Sequence, residues 1–313
     1  MVTQAELNGV DALDIELQQL QTALQPFQLP AGTRVFEQGE AGDRLLLIAD
    51  GRARSSLRLP TGGEQTLSVS GPGDVVGEIA LLTGARRAAT VTAITPLRGW
   101  TLDRHGFGLL RWDSRRAAIA VVQRLVALTT ARLRAHCAQI AQLTAHPVDL
   151  SGLPTSTRRA VPMPALDYLA SLLCFSGFPR VDDVEAAVRG VPVHAAERGD
   201  VLVVEGSRPP GLLLVVRGAV EVMVNHDGST HRVRLAGPGR FVAHNGILDD
   251  GPSPVTARCR ERAVLLLFPR ANVRAQLNDS ARLARAFSAA VLEDTARAVR
   301  QASRPMLFTT ARK

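Results

Sequence analysis

The sequence predicts a mainly β fold with helices: two antiparallel, jelly-roll-like β-rolls joined by a long helix and a linker. Three observations carry this. Short apolar runs alternate with glycine turns in 35–51 and again in 201–218. The turns of the first half recur in the second. Gly32, Gly39 and Gly51 return as Gly199, Gly206 and Gly218, each 167 residues on, and Pro72-Gly73 returns as Pro238-Gly239 after 166. Between the copies, 113–145 contains neither proline nor glycine. So long a period excludes a solenoid and means two copies of one domain. The expected division is a first domain with its C-terminal helix over 1–146, a linker over 147–171, and a second domain with a closing helix over 172–313.

In chain order, Pro30-Ala31-Gly32 leads into Val35-Phe36-Glu37-Gln38-Gly39-Glu40. Gly42-Asp43 and the apolar run Leu45-Leu46-Leu47-Ile48 follow, closed by a turn at Asp50-Gly51. Gly71-Pro72-Gly73-Asp74 is a further turn, and directly after it 77–91 reads GEIALLTGARRAATV. This segment offers one carboxylate, one central arginine and a run of small residues, a set suited to a small molecule with a diol and a phosphate. Gly77-Glu78-Ile79-Ala80 starts a short helix, whose free N–H groups and positive dipole end favour an anion. The planar fork of Arg87 grips phosphate oxygens at two points. Ala88 and Ala89 have no bulk to keep their amides from the same phosphate, and Glu78 has a different task, accepting hydrogen bonds from a hydroxyl.

The segment resembles the phosphate-binding cassette of the cyclic nucleotide-binding domain family: Gly-Glu-Leu/Ile-Ala-Leu, a spacer, then Arg-x-Ala-Thr/Ser-Val/Ala. It matches without insertion, and the likeness extends over about 10–145. The resemblance implies that Glu78 takes the ribose 2′-hydroxyl and Arg87 the exocyclic phosphate oxygens. Amides from Gly77 through Ile79 to Ala80, and at Ala89, complete the cradle. It also implies cAMP as ligand ahead of cGMP, because Ala88 stands where a Thr or Ser often accompanies cGMP.

The second copy departs where ligand chemistry occurs. At an offset of 166, His244 replaces Glu78 and Ser253 replaces Arg87. Asp249 and Asp250 add charge that repels an anion, so no ordinary nucleotide site is expected there. His194, His226, His231 and His244 form no recognisable metal-ligand set.

Within 113–145, Ile119, Val122, Val126, Thr129, Leu133, His136, Ile140 and Leu143 follow alternating spacings of three and four, a heptad seam. In dimeric bacterial members of the resembled family, this helix forms the dimer interface and reaches the base. A homodimer through 113–145 is therefore expected, with Thr129, Thr130 and His136 as candidate base contacts. The prolines and polar turn-formers of 147–171 read as a connector. A helix over 182–189 leads into the second roll, and one over 279–302 closes it, with Leu283, Ala286, Phe287, Ala290 and Val291 on one face.

With 313 residues and 46% hydrophobic content, two packed cores are within reach. The net charge of +8 is spread along the chain, all but Lys313 of its 37 basic residues being arginine, and aromatics are only 4%. That suits a solvated basic surface better than a nucleic-acid stripe. No recognition-helix pattern, Gly-x-Ser-x-Gly or HExxH occurs, and no apolar run nears the ~20 residues of a membrane span. Three distant cysteines and a start without a basic, apolar leader point to the cytoplasm. The expectation is a non-enzymatic cyclic-nucleotide receptor or regulatory protein, acting on its helix or a protein partner. The alternative is a structural or assembly scaffold with weak or no nucleotide binding.

Overall fold

In the computed structural model, residues 20, 22–58, 62–113, 115–143, 159–226 and 229–309 are described. The chain divides into two units, Met1–Leu128 and Thr129–Lys313. The division falls inside the long helix, not after it at 146. Each unit holds one roll.

The first unit begins with β1 (Leu24–Leu29), β2 (Arg34–Phe36), β3 (Arg44–Asp50), β4 (Ala53–Arg58) and β5 (Glu64–Ser70). After β6 (Val75–Val76) and α1 (Glu78–Thr83) come β7 (Thr90–Ala93) and β8 (Leu97–Asp103). The strands pair antiparallel in two sheets, ordered β1-β8-β3-β6 and β2-β7-β4-β5. Phe36, Leu46, Ile48, Val76, Val91 and Leu97 meet between them as a buried core. The turn after β3 needs glycine: Gly51 has φ 89°, and a Cβ there would lie 2.0 Å from the Pro96 carbonyl oxygen.

The second roll repeats this plan strand for strand. β10 (Val193–Ala196), β11 (Val201–Val203), β12 (Gly211–Arg217), β13 (Val220–His226), β14 (Ser229–Ala236), β15 (Arg240–Val242), β16 (Thr256–Cys259) and β17 (Ala263–Pro269) form sheets ordered β15-β12-β17-β10 and β11-β16-β13-β14. Turn bonds repeat too: Gly32 N–H donates to Ala93 at 2.7 Å, Gly199 N–H to Cys259 at 2.8 Å.

Part of the expected linker carries short elements. Residues 144–158 lie outside the described set, but 159–171 belongs to the second unit. β9 (Arg159–Ala160) pairs with Ala195 and His194 at the edge of β10. In α4 (Leu166–Ala170), the Tyr168 hydroxyl donates to the Val216 carbonyl at 2.7 Å, with the Arg217 guanidinium over its ring. Pro162 and Pro164 lie between these short elements and do not mark an unstructured stretch.

After β8 come α2 (Arg104–Leu110), its first turn capped by Asp103 onto the Gly106 amide, and the long α3 (Arg116–Leu143). The expectation that the α3 seam stays free for a second copy is also corrected. Val122, Val126, Thr129, Leu133 and Ile140 are 0–5% exposed within the single chain. These five seam positions pack as core within the chain, while Ile119 and His136 are half-buried. The second roll is preceded by α5 (Val181–Val188), carries the short α6 (His244–Ile247), and is followed by α7 (Arg270–Asn278) and α8 (Arg282–Thr309). From Ala284 to Leu292 every side chain of α8 is buried, including Arg285 and Ser288, so this helix runs through a core where one apolar face was expected.

Candidate functional site

The first cassette is set by β6, a left-handed Gly77 and the short α1. Gly77 has φ 87°, and a Cβ there would lie 2.6 Å from the Phe36 ring and 2.7 Å from Arg87 Nη1. Only glycine turns the chain here and leaves space for the arginine. Glu78 follows at 1% exposure, Ile79 is half-buried and Ala80 is 5% exposed.

Arg87 lies in the irregular segment that leads into β7 and is itself 5% exposed. Its backbone is clamped by two bonds: Arg87 N–H to the Glu40 carbonyl at 2.8 Å, and Gly39 N–H to the Arg87 carbonyl at 2.9 Å. The guanidinium lies 3.7 Å from the Phe36 ring centroid, donates from Nη1 to the Gly77 carbonyl at 3.0 Å, and meets Asp43 at 3.4 Å. Its Nε is buried without a hydrogen-bond partner among the described residues. Burial pulls the Arg87 pKa down, and Asp43 opposes this, followed by Glu40 and Glu78. An arginine so placed remains a cation. Ala88 is exposed and Ala89 half-buried, which leaves that edge open. All seven cassette residues named from the sequence thus lie along one turn–helix–strand path. Phe36 and Asp43, read only as strand and turn, prove to hold the arginine from β2 and from the turn before β3.

The second cassette has the same backbone with different side chains. Ala243 takes the place of Gly77 and keeps its left-handed turn, φ 71°. Ser253 stands where Arg87 stands, its N–H bonded to Ser207 and its carbonyl to Gly206, both at 2.8 Å. Its hydroxyl turns inward onto the Val255 carbonyl at 2.8 Å. His244, in place of Glu78, is 2% exposed. His244 Nε2 lies 3.1 Å from Asp294 on α8, and Nδ1 lies 3.3 Å from Arg234 Nη2 on β14. With a carboxylate on one side and a guanidinium on the other, the ring is neutral, donating from Nε2 and accepting at Nδ1. Asp294 also accepts from the Phe241 amide at 2.9 Å and pairs with Arg240 at 3.3 Å. Burial pushes the His244 pKa down against the pull of Asp294. Burial alone would raise Asp294, but His244, Arg234 and the Phe241 amide outweigh it and hold that carboxylate below its usual range. The position that would meet a ribose is thus absorbed into a buried polar core.

Arg258 and Arg260, the arginines that follow Ser253, grip Glu221 at 2.6 and 3.6 Å. The three base-contact candidates fall in the second unit. Thr129 and Thr130 are 0% exposed, and His136 Nδ1 bonds the Ser303 hydroxyl of α8 at 3.1 Å. Among the described residues no His, Cys, Asp and Glu cluster suits a metal ion, and no helix is long and apolar enough to cross a membrane.

The family model of the cyclic nucleotide-binding domain matches the chain twice, over residues 26–110 and 193–280. The chain belongs to the cyclic nucleotide-binding domain family, as a tandem of two such domains. It is 36% identical over 111 residues to a CRP-like cAMP-activated global transcriptional regulator of Mycobacterium tuberculosis, covering 36% of this chain and 48% of that protein. It is also 36% identical over 115 residues to the acetyltransferase Pat of Mycolicibacterium smegmatis, covering 33% and 34%. The chain thus spans half or less of the length of these curated relatives. Among solved structures, the cAMP-bound regulatory domain of Toxoplasma gondii PKA covers 88% of this chain and 93% of its own at 17% identity and TM-score 0.33. A cyclic nucleotide-binding domain from Methylobacillus flagellatus covers 44% and 76% at 28% identity and TM-score 0.38.

Proposed function

We propose that the chain is a non-enzymatic cyclic-nucleotide receptor with a single ligand site, in the first cassette, and that the ligand is cAMP. One observation carries this reading. Arg87 is buried as a cation and stacked on Phe36, its Nε has no partner among the described residues, and its nearest carboxylate, Asp43, is 70% exposed. A solvated carboxylate at 3.4 Å is a weak partner that a better-placed anion displaces. The cradle fits a phosphate in shape as well, since Gly77 tolerates no side chain and Ala80, Ala88 and Ala89 add only methyl groups. Glu78, buried beside it, supplies the acceptor for a ribose hydroxyl. Ala88 carries no hydroxyl for a guanine amino group, which supports cAMP over cGMP. The response is expected to pass to α3, and from there to the second domain or a protein partner. Cys137, Cys174 and Cys259 are buried free thiols, and burial lifts the Cys137 pKa to about 12, consistent with work in a reducing compartment such as the cytoplasm. The scaffold reading draws its support from the second domain alone, where both ligand side chains are replaced.

A variant test isolates the ribose contact. Glu78→Ala is expected to weaken cAMP by roughly ten- to a hundredfold, as for a lost hydrogen bond to a charged group. It is expected to change the affinity for 2′-deoxy-cAMP by less than about threefold, because that ligand lacks the hydroxyl. Fluorescence competition against both ligands checks this, and equal losses for the two would remove the ribose role from Glu78.

A further inference from the structure

We propose that the second cassette is occupied from within the chain: Asp249 stands in the place of a bound phosphate and Arg134 of α3 closes over it, a latch that receives the movement of the helix. The proposal extends the single-site reading above and rests on it for the source of that movement.

The case starts from the backbone. At the offset that places Ser253 on Arg87, Gly246 corresponds to Ala80, whose amide belongs to the phosphate cradle of the first cassette. Gly246 N–H is not open to a ligand, because it donates to Asp249 Oδ1 at 2.7 Å. Gly251 N–H reaches the same oxygen at 3.2 Å, and Asn245 Nδ2 reaches Asp249 Oδ2 at 3.1 Å. The helix that runs unbroken as Glu78–Thr83 in the first cassette is interrupted here, with Asn245 at ψ 147° and Gly246 at φ 85°. That break turns the amides onto the carboxylate. An acidic side chain that reads in sequence as a repellent of anions is itself the anion.

The outer oxygen of this carboxylate is taken by α3. Arg134 Nε donates to Asp249 Oδ2 at 2.8 Å, and its Nη2 donates to the Pro252 carbonyl at 2.9 Å. One turn earlier, the Thr130 carbonyl accepts from Asn245 Nδ2 at 3.0 Å. Leu133 and Cys137 line the small void left beside Val222, Val233 and His244, about 10 Å³ in volume, at the limit for one water molecule. A nucleotide has no room there.

The same helix is tied to the first cassette by a second arginine. Arg124 donates from Nε and Nη2 to the Gly73 carbonyl, at 3.0 and 2.8 Å, in the turn that leads into β6 and Gly77. Arg124 and Arg134 both belong to α3 in the chain, which is the route proposed for the signal from the first cassette to the latch.

The experiment uses the full chain and hydrogen exchange, with cAMP as probe. Asp249→Asn, Arg134→Gln and the double variant form a mutant cycle. Each single variant is expected to speed exchange of the 129–140 amides roughly tenfold, and the double variant to add little more. In the wild type, cAMP is expected to change exchange over 129–140. In the variants that ligand-dependent change is expected to vanish while calorimetric binding to the first domain persists. Additive effects in the cycle, or unchanged exchange in both single variants, would overturn the latch. Full cAMP binding with no change at 129–140 in the wild type would overturn its role as receiver. No binding heat at all would instead fail the nucleotide reading, and the cycle without ligand would still decide the latch.

Discussion

Arg87→Ala is expected to abolish measurable cAMP binding while the first domain stays folded. The Arg87 side chain is 3% exposed, so its contact with a phosphate is made away from water, where a charge-assisted bidentate bond is strongest. By analogy with truncated buried charge pairs, the loss is about 2–5 kcal/mol. That corresponds to roughly thirtyfold to several-thousandfold in Kd. The fold is expected to survive because the clamp between Gly39, Glu40 and residue 87 is made by backbone groups alone. Arg87→Lys is expected to recover only part of the affinity, since an ammonium neither forks nor stacks on Phe36 in the same way. Titration calorimetry with a melting curve on each variant checks both. An affinity for Arg87→Ala within threefold of wild type would remove the arginine from the site.

Asp294→Ala is expected to destabilise the second domain by about 3–5 kcal/mol, the usual cost of stranding a buried partner. Asp294 is 1% exposed, and the substitution leaves Arg240, His244 and the Phe241 amide without this acceptor and the buried Arg234 without a nearby counter-charge. For a unit of this size the midpoint is expected to fall by roughly 10 °C. The same network sets a pH dependence. His244 has a folded pKa below its ordinary 6.5, so its contribution is full above that value and is lost as the pH falls towards the folded pKa. Asp294, also depressed, contributes above the ordinary carboxylate range and loses its part only in stronger acid. Melting temperatures of wild type are therefore expected to drop between pH 7.5 and 5.5. His244→Gln is expected to flatten that slope, with His136, similarly lowered by burial, supplying the remainder. A slope unchanged in His244→Gln would show that this ring titrates alike in the folded and unfolded states, against the lowered folded pKa.

The duplicated fold was legible because its turns demand a particular backbone. Gly32, Gly39, Gly51 and Gly73, and their partners Gly199, Gly206, Gly218 and Gly239, all have φ between 74° and 93°. Such positions are written as glycine in both copies, and their spacing aligns the rest. The first cassette was legible for a similar reason, since Gly77, Glu78 and Arg87 lie within eleven residues and each has a distinctive chemistry. The spacing also placed His244 and Ser253 correctly, as the paired backbone bonds of Ser253 and Arg87 confirm.

What the sequence could not supply was long-range pairing. A heptad seam states that one helix face is apolar, not what covers it, and Leu133 and Ile140 turn out to be buried in their own chain. Asp249 carries no local sign that Arg134, 115 positions away, will neutralise it. Nor does Asp294 announce His244, fifty positions earlier, as its partner. The connector was drawn over 147–171 because its prolines and polar turn-formers interrupt helix; the short elements Arg159–Ala160 and Leu166–Ala170, which fit around Pro162 and Pro164, carry no such sign.

The central claim is that each chain carries one nucleotide site, in the first domain, and a second cassette closed from within. Titration calorimetry of the full chain with cAMP tests it most directly. The account predicts one equivalent bound per chain in the wild type and none in Arg87→Ala at the same concentrations. Two equivalents in the wild type, or one equivalent surviving in Arg87→Ala, would contradict it.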